Sequence, residues 1–200
     1  MARPKTMVDL NALGLPAAFT SRQADEAGLT RGLRSRLIAE GALIRLSRGL
    51  YRQANADPVD LDLLEVALRT PAATICLTSA LSRHELTDEI PSMLDLALPR
   101  RVRHPAGPVV AHWHSFDPDT FTIGRGQLAI EDGISVGLYS AERSIIDAFN
   151  TRGTTGTEIA VEALRRWLRQ KGAQPAELLT MAAAWPRAQA PLRRAIEILL

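Results

Sequence analysis

The chain has 200 residues, 46% of them hydrophobic and 23% charged, with mean hydropathy near zero. That length allows one or two domains with a proper core, and the composition is that of an ordinary soluble globular protein. No apolar run approaches the ~18–20 residues of a membrane span. MARPKTMVDL lacks the apolar stretch of a signal peptide, and the lone Cys76 excludes an internal disulfide framework and a multi-cysteine zinc site. Together these features predict a cytoplasmic protein.

Net charge is only +2, but it is unevenly spread. Residues 1–56 hold nine Lys/Arg against four acids, a net +5, while the remainder holds 15 basic and 18 acidic residues, a net −3. A basic first quarter on a mildly acidic body suggests that the first quarter meets a polyanion.

In chain order, Met7 to Leu13 predicts a helix of one or two turns, stopped by Gly14, Leu15 and Pro16. Its Met7, Leu10 and Leu13 should cover Leu33 and Leu37. Thr20 followed three residues later by Gln23 is a capping box, predicting a short helix to about Ala27 closed by Gly28. Thr30 is a new N-cap, and a second helix should run from Arg31 to about Glu40, stopped by Gly41. Two short helices joined by a glycine-containing turn outline a helix-turn-helix. Leu33, Leu37 and Ile38 define the buried side of the second helix, and Gly32, Ser35, Arg36 and Ala39 lie roughly opposite. That small-residue face could approach a groove closely, with Arg31 at its edge. Arg34 falls nearer the apolar side. A solvated helix is the alternative.

The stretch 41-GALIRLSRGLYR-52 reads as a hairpin. Ile44 and Leu46 alternate with Arg45, which places the arginine on the face opposite them. Ser47-Arg48-Gly49 supplies a three-residue loop with Gly49 at positive φ, since a type I′ turn would put Arg48 in a disfavoured conformation. Leu50 and Tyr51 begin the return strand and Arg52 ends it. A two-stranded hairpin is not stable alone and must lean on the helices before it. Helix, turn, helix and basic-tipped hairpin is the winged helix-turn-helix plan. In that plan the second helix enters the major groove and the wing reaches phosphates or the minor groove.

Residues 53–58 are polar, contain Pro58, and predict a linker between domains 1–56 and 57–200. Beyond it come a helix from Asp60 to Arg69 and a short apolar run at 73–77. A helix capped by Thr78 or Ser79 follows through Leu86, then strands at 92–98 and 109–116, and two more around Asp132-Gly133. Ser140 caps a helix containing 142-ERSIIDAF-149, with Arg143 and Asp147 an i,i+4 pair. Helices at 157–171, 175–184 and 189–200 close the chain. The fold class is therefore α+β: an N-terminal winged helix-turn-helix, then an α+β domain with a short antiparallel sheet and C-terminal helices.

No catalytic constellation emerges. His112 and His114 share a strand face, but a third metal ligand at suitable spacing is missing. The Gly153-Thr-Thr-Gly156-Thr157 loop lacks the lysine and the preceding strand of a P-loop. Ser79 and Ser82 with His84 and Glu85 would lie on one helix and not face one another, and Cys76 between Ile75 and Leu77 reads as a buried small hydrophobe. An enzyme is not expected, nor is a cofactor or a metal.

The G-x-L-x-R-x-x-R-G-x-Y-R pattern of residues 41–52 resembles the N-terminal domain of AbiEi-type antitoxins of type IV toxin–antitoxin systems. The segment 74-TICLTSALSRHEL-86 resembles that family's "xICLxSALxxHGL" helix. Likewise 90-IPSMLDLALPR-100 resembles its "IPxxxxLAVPR" strand and 138-LYSAERSIIDAF-149 its "VYSPERTIVDLF" helix. The similarity runs through nearly the whole chain in order. The resemblance implies a bacterial DNA-binding regulator that represses its own operon by binding double-stranded operator repeats in the promoter. It also implies an antagonist of a nucleotidyltransferase-like toxin that needs no stable complex with that toxin. The residues it assigns to DNA are Arg31, Ser35, Arg36, Arg45, Arg48 and Arg52. The departures are the curtailed first helix and Glu85 where a glycine is common. A different class of function, a protein-interaction module whose winged helix contacts protein, stays open.

Overall fold

A computed structural model of the chain describes residues 10, 12–105, 109, 111–151, 153 and 156–200. The described residues form a mixed α/β protein with two small sheets and a set of C-terminal helices. No helix among them is long and apolar enough to cross a membrane. The chain divides into two compact units, 1–65 with 130–133, and 66–129 with 134–200. The division falls between Glu65 and Val66, within a helix, rather than in the polar 53–58 segment.

The first unit carries β1 (Ala18–Thr20), α1 (Ser21–Glu26), α2 (Arg31–Ala39), β2 (Leu43–Ser47) and β3 (Leu50–Gln53), with strand order β1-β3-β2, antiparallel throughout. The expected capping box is made: Thr20 Oγ1 accepts from the Gln23 N–H at 3.3 Å, and Gln23 Oε1 accepts from the Thr20 N–H at 2.8 Å. Thr30 caps α2 by accepting from the Leu33 N–H at 3.4 Å. Leu10, Leu15, Phe19, Ala24, Leu29, Leu37 and Leu43 form the core, with Phe19 and Tyr51 stacked at 6.0 Å. Of the expected first helix, Leu10 is buried in the same core as Leu37, but Leu13 is exposed, and Met7 lies outside the described residues.

The hairpin forms with its phase changed. Leu43 is buried while Ile44 is 43% exposed, so the core takes Leu43 and Tyr51 rather than Ile44 and Leu46. Side chains alternate along a strand, and Leu43-Ile44-Arg45-Leu46 offers apolar residues in both phases, so the face against the helices decides. Ser47 pairs with Leu50 after a bulge between Arg45 and Ser47, leaving Arg48 and Gly49 in the loop. Gly49 takes φ +80° as expected.

The second unit carries β4 (Thr74–Ile75), α4 (Leu77–Arg83), β5 (Leu94–Pro99), β6 (Ala111–Phe116), α5 (Pro118–Phe121), β8 (Ile134–Tyr139) and α6 (Ala141–Asn150). Helices α7 (Thr157–Leu168), α8 (Pro175–Ala182) and α9 (Pro186–Leu199) end the chain. Helix α3 (Leu61–Arg69) and strand β7 (Arg125–Glu131) run through the division points. The five-stranded sheet has order β6-β5-β4-β8-β7 and is mixed, not antiparallel as expected. Strands β4 and β5 pair antiparallel, whereas β4–β8 and β5–β6 pair parallel. Residues 100–110 between β5 and β6 are long enough for the chain to return and enter β6 in the same direction, which a tight turn would not allow.

Two helix ends differ from expectation. Cys76, not Thr78 or Ser79, occupies the N-cap of α4 and makes no side-chain cap bond. Ser79 is drawn instead to the buried Asp95, whose N–H donates to Ser79 Oγ at 2.8 Å. Helix α9 begins at Pro186 and carries Pro191 inside it. A helical core of Leu81, Ile145, Ile146, Phe149, Leu164, Trp167, Leu178 and Leu192 surrounds α6.

Candidate nucleic-acid interface

The expected reading face of α2 is exposed: Gly32, Ser35, Arg36 and Ala39 all face solvent, while Leu37 is buried and Leu33 and Ile38 are partly so. Arg31 is the first residue of α2 and exposed. It sits where the orphan N–H groups of the helix already favour anions. Arg36 donates from Nε to Glu40 at 3.0 Å, with its side chain 54% exposed. Such an i,i+4 surface pair is worth only about 0.3–0.5 kcal/mol, so a phosphate or base edge could displace it.

On the hairpin, Arg45 is exposed and donates from Nε to the Ser47 carbonyl at 3.3 Å. Arg48 is exposed in the loop at the hairpin tip. The tip is held against α1, where the Ser21 N–H donates to the Gly49 carbonyl at 2.8 Å.

Arg52 does not belong with them. It is 4% exposed, and its Nη2 donates to Glu131 at 2.8 Å and to the Asp57 carbonyl. At 4% exposure the guanidinium is closed off from the surface where a phosphate would lie, so the expectation that Arg52 contacts DNA is corrected. Its place is inside the first unit.

Arg34, which the sequence places near the apolar side of α2, has a structural role. It is 5% exposed, and Nη1 donates to Asp25 at 2.6 Å, to the Leu29 carbonyl at 2.9 Å and to the Ser21 carbonyl at 3.3 Å. Its guanidinium carbon lies 5.5 Å from the Tyr51 ring centroid. One side chain thus fixes α2 to α1, to the turn between them and to the hairpin. The visible clue is its position on the helix; the Asp25 partner is not legible in the sequence.

The residues weighed for chemistry are placed plainly. His114 Nε2 is 2.9 Å from Asp95 Oδ1 and His112 Nδ1 is 3.8 Å from it. Among the described residues no group of three His, Cys, Asp or Glu could hold a metal. Ser79 bonds Asp95 and not a histidine, and His84 Nε2 meets the Tyr139 carbonyl at 2.7 Å. Burial pushes the Cys76 thiol well above its ordinary range, with Asp147 and Asp95 adding to the effect, so it is held as a neutral thiol. Thr154 and Thr155 of the glycine loop lie outside the described residues.

No protein-family model and no curated protein matches the chain. Among solved structures, the crystal structure of the RV2827C protein from Mycobacterium tuberculosis resembles it with a TM-score of 0.48 and 16% identity, over 92% of this chain and 76% of that one.

Proposed function

We propose that the chain is a DNA-binding antitoxin of the type IV class, with residues of its first unit arranged as a winged helix that represses its own operon. The observation that carries this is the exposed face of α2, small apart from Arg36, with an arginine-tipped hairpin following it. The order β1-β3-β2, with β1 leading into the helix-turn-helix, is the arrangement a wing needs to be braced by a third strand. The DNA contacts assigned are Arg31, Ser35 and Arg36 from α2, with Arg45 and Arg48 from the hairpin. The antitoxin part rests on the sequence resemblance alone.

The test is fluorescence anisotropy of the full chain on the duplex immediately upstream of its own gene, against a scrambled duplex of equal length. Preferential binding of the upstream duplex, weakening linearly in log[salt], is expected. Equal affinity for both duplexes would remove the repressor reading. No DNA binding at all would favour a module whose first unit contacts protein. Rescue of cells from a co-expressed nucleotidyltransferase-like toxin encoded beside it is the separate test of the antitoxin part.

A further inference from the structure

The second unit holds a cavity of about 470 Å³ that the DNA-binding reading does not use. It lies at the carboxyl ends of the two parallel strands β5 and β6. Arg100 follows β5 directly, Phe116 ends β6, and α5 with its N-cap Asp117, α6 and the start of α9 supply further walls. Carboxyl ends of parallel strands are where α/β sheets place their ligands, and the volume falls in the range of small-molecule sites.

The polar chemistry of the cavity centres on Arg143, whose side chain is 1% exposed. Its guanidinium carbon lies over the rings of both Tyr139 and Trp185, each centroid 4.2 Å away. Its Nε donates to both Asp147 oxygens at 2.9 and 3.0 Å. Its Nη1 donates to the Thr120 and Ile123 carbonyls at 2.6 and 2.8 Å. Gly124 at φ +68° lets the backbone lie against it, since a Cβ there would stand 2.7 Å from the Arg143 Cβ. Among the described residues, Nη2 makes no hydrogen bond. Arg100 also lines the cavity, and its nearest carboxylate, Asp117, stands 3.6 Å away, beyond hydrogen-bond distance.

We infer that this cavity binds a small aromatic carboxylate, its anionic head taken by Arg143 Nη2 and Arg100 and its ring held against Phe116 and Trp185. Three features select that class. A buried guanidinium with one bonding edge unused is an oxyanion receptor fixed in advance. Three arginines and two aspartates line the cavity, a net +1, which suits a singly charged carboxylate better than a phosphate dianion. The walls of Phe116, Ala184, Trp185 and Pro186 are apolar and partly aromatic, which suits a flat ring.

The experiment is a titration of the full chain followed by ¹H–¹⁵N correlation at the Trp185 indole N–H, identified by its loss in Trp185→Phe. The probes are benzoate, its neutral isostere benzamide, and inorganic phosphate. Benzoate is expected to shift that signal saturably, and benzamide to bind about tenfold more weakly for want of the charge-assisted bonds. Phosphate, without a ring, should leave the signal unmoved over the same range. Arg100→Gln, a change at an exposed side chain, should weaken benzoate by about tenfold and leave the spectrum otherwise native. Equal affinity for benzoate and benzamide, a shift with phosphate alone, no saturable shift, or unchanged benzoate affinity in Arg100→Gln would each overturn the assignment.

Discussion

Arginines do two opposite jobs in this protein, and the first unit holds both kinds. In the first, Arg31, Arg36, Arg45 and Arg48 are exposed on α2 and its hairpin, while Arg34 and Arg52 are closed into internal bonds. In the second, Arg143 is fully buried, lies over two aromatic rings and is bound to a carboxylate and two carbonyls. The same side chain is exposed at the surface in one setting and a buried multi-donor staple in the other. The setting is decided by whether carbonyls and carboxylates converge on it. The +5 of the first quarter therefore overstates what a partner can meet, since Arg34 and Arg52 are engaged in holding the fold.

The largest effect that would break this contrast is expected at Arg143. Arg143→Met leaves Asp147 without its cation, and losing one partner of a buried pair costs about 3–5 kcal/mol. Thermal unfolding should show it as a large fall in Tm, and a near-native Tm would deny the staple. Burial already lifts the Asp147 carboxyl to about 6 against the pull of Arg143. Its folded value lies above its unfolded one, so its contribution to stability is full below about pH 4 and is lost as pH rises through about 6. Asp147→Asn should abolish that component of the pH–stability curve.

Arg34→Met should cost about 2 kcal/mol by removing a charge-assisted latch. With the protein kept folded by temperature, the salt slope of DNA binding should stay the same, because Arg34 faces inward. A changed slope would place it on the DNA. Arg36→Ala should lose about 1–3 kcal/mol on the upstream duplex and much less on a scrambled one, if it reads a base edge. Equal loss on both would make it a phosphate contact. The smallest effect concerns Glu85, which follows the end of α4 at φ +59°. Glu85→Gly should stabilise the protein by about 1 kcal/mol in denaturant unfolding, because that backbone conformation strains any residue with a Cβ.

What is legible in the sequence is local. Thr20 with Gln23, Thr30 and Ser140 each cap the helix they are expected to cap, because a cap and its target lie within one turn. The Arg143–Asp147 pair is visible at i,i+4, but the packing of Arg143 against Trp185 is not, since Trp185 comes from a distant part of the chain. Arg52 is misread for the same reason: its partner Glu131 is 79 residues away, and nothing near Arg52 announces it. The hairpin phase is open because apolar residues occupy both faces of β2, and only packing against α1 and α2 selects one. Strand direction in the second unit is equally hidden, because a strand buried on both faces, as β5 is, carries no sign of which neighbour runs parallel.

The division between outward and inward arginines is tested most directly by the salt dependence of binding to the upstream duplex for Arg48→Ala beside Arg52→Met. Arg48→Ala should weaken binding on all sequences alike and lower the slope of log K against log[salt] by about 0.9 for each phosphate it no longer neutralises. Arg52→Met, measured where it remains folded, should leave the slope unchanged. An unchanged slope for Arg48→Ala, or a reduced one for Arg52→Met, would contradict the account.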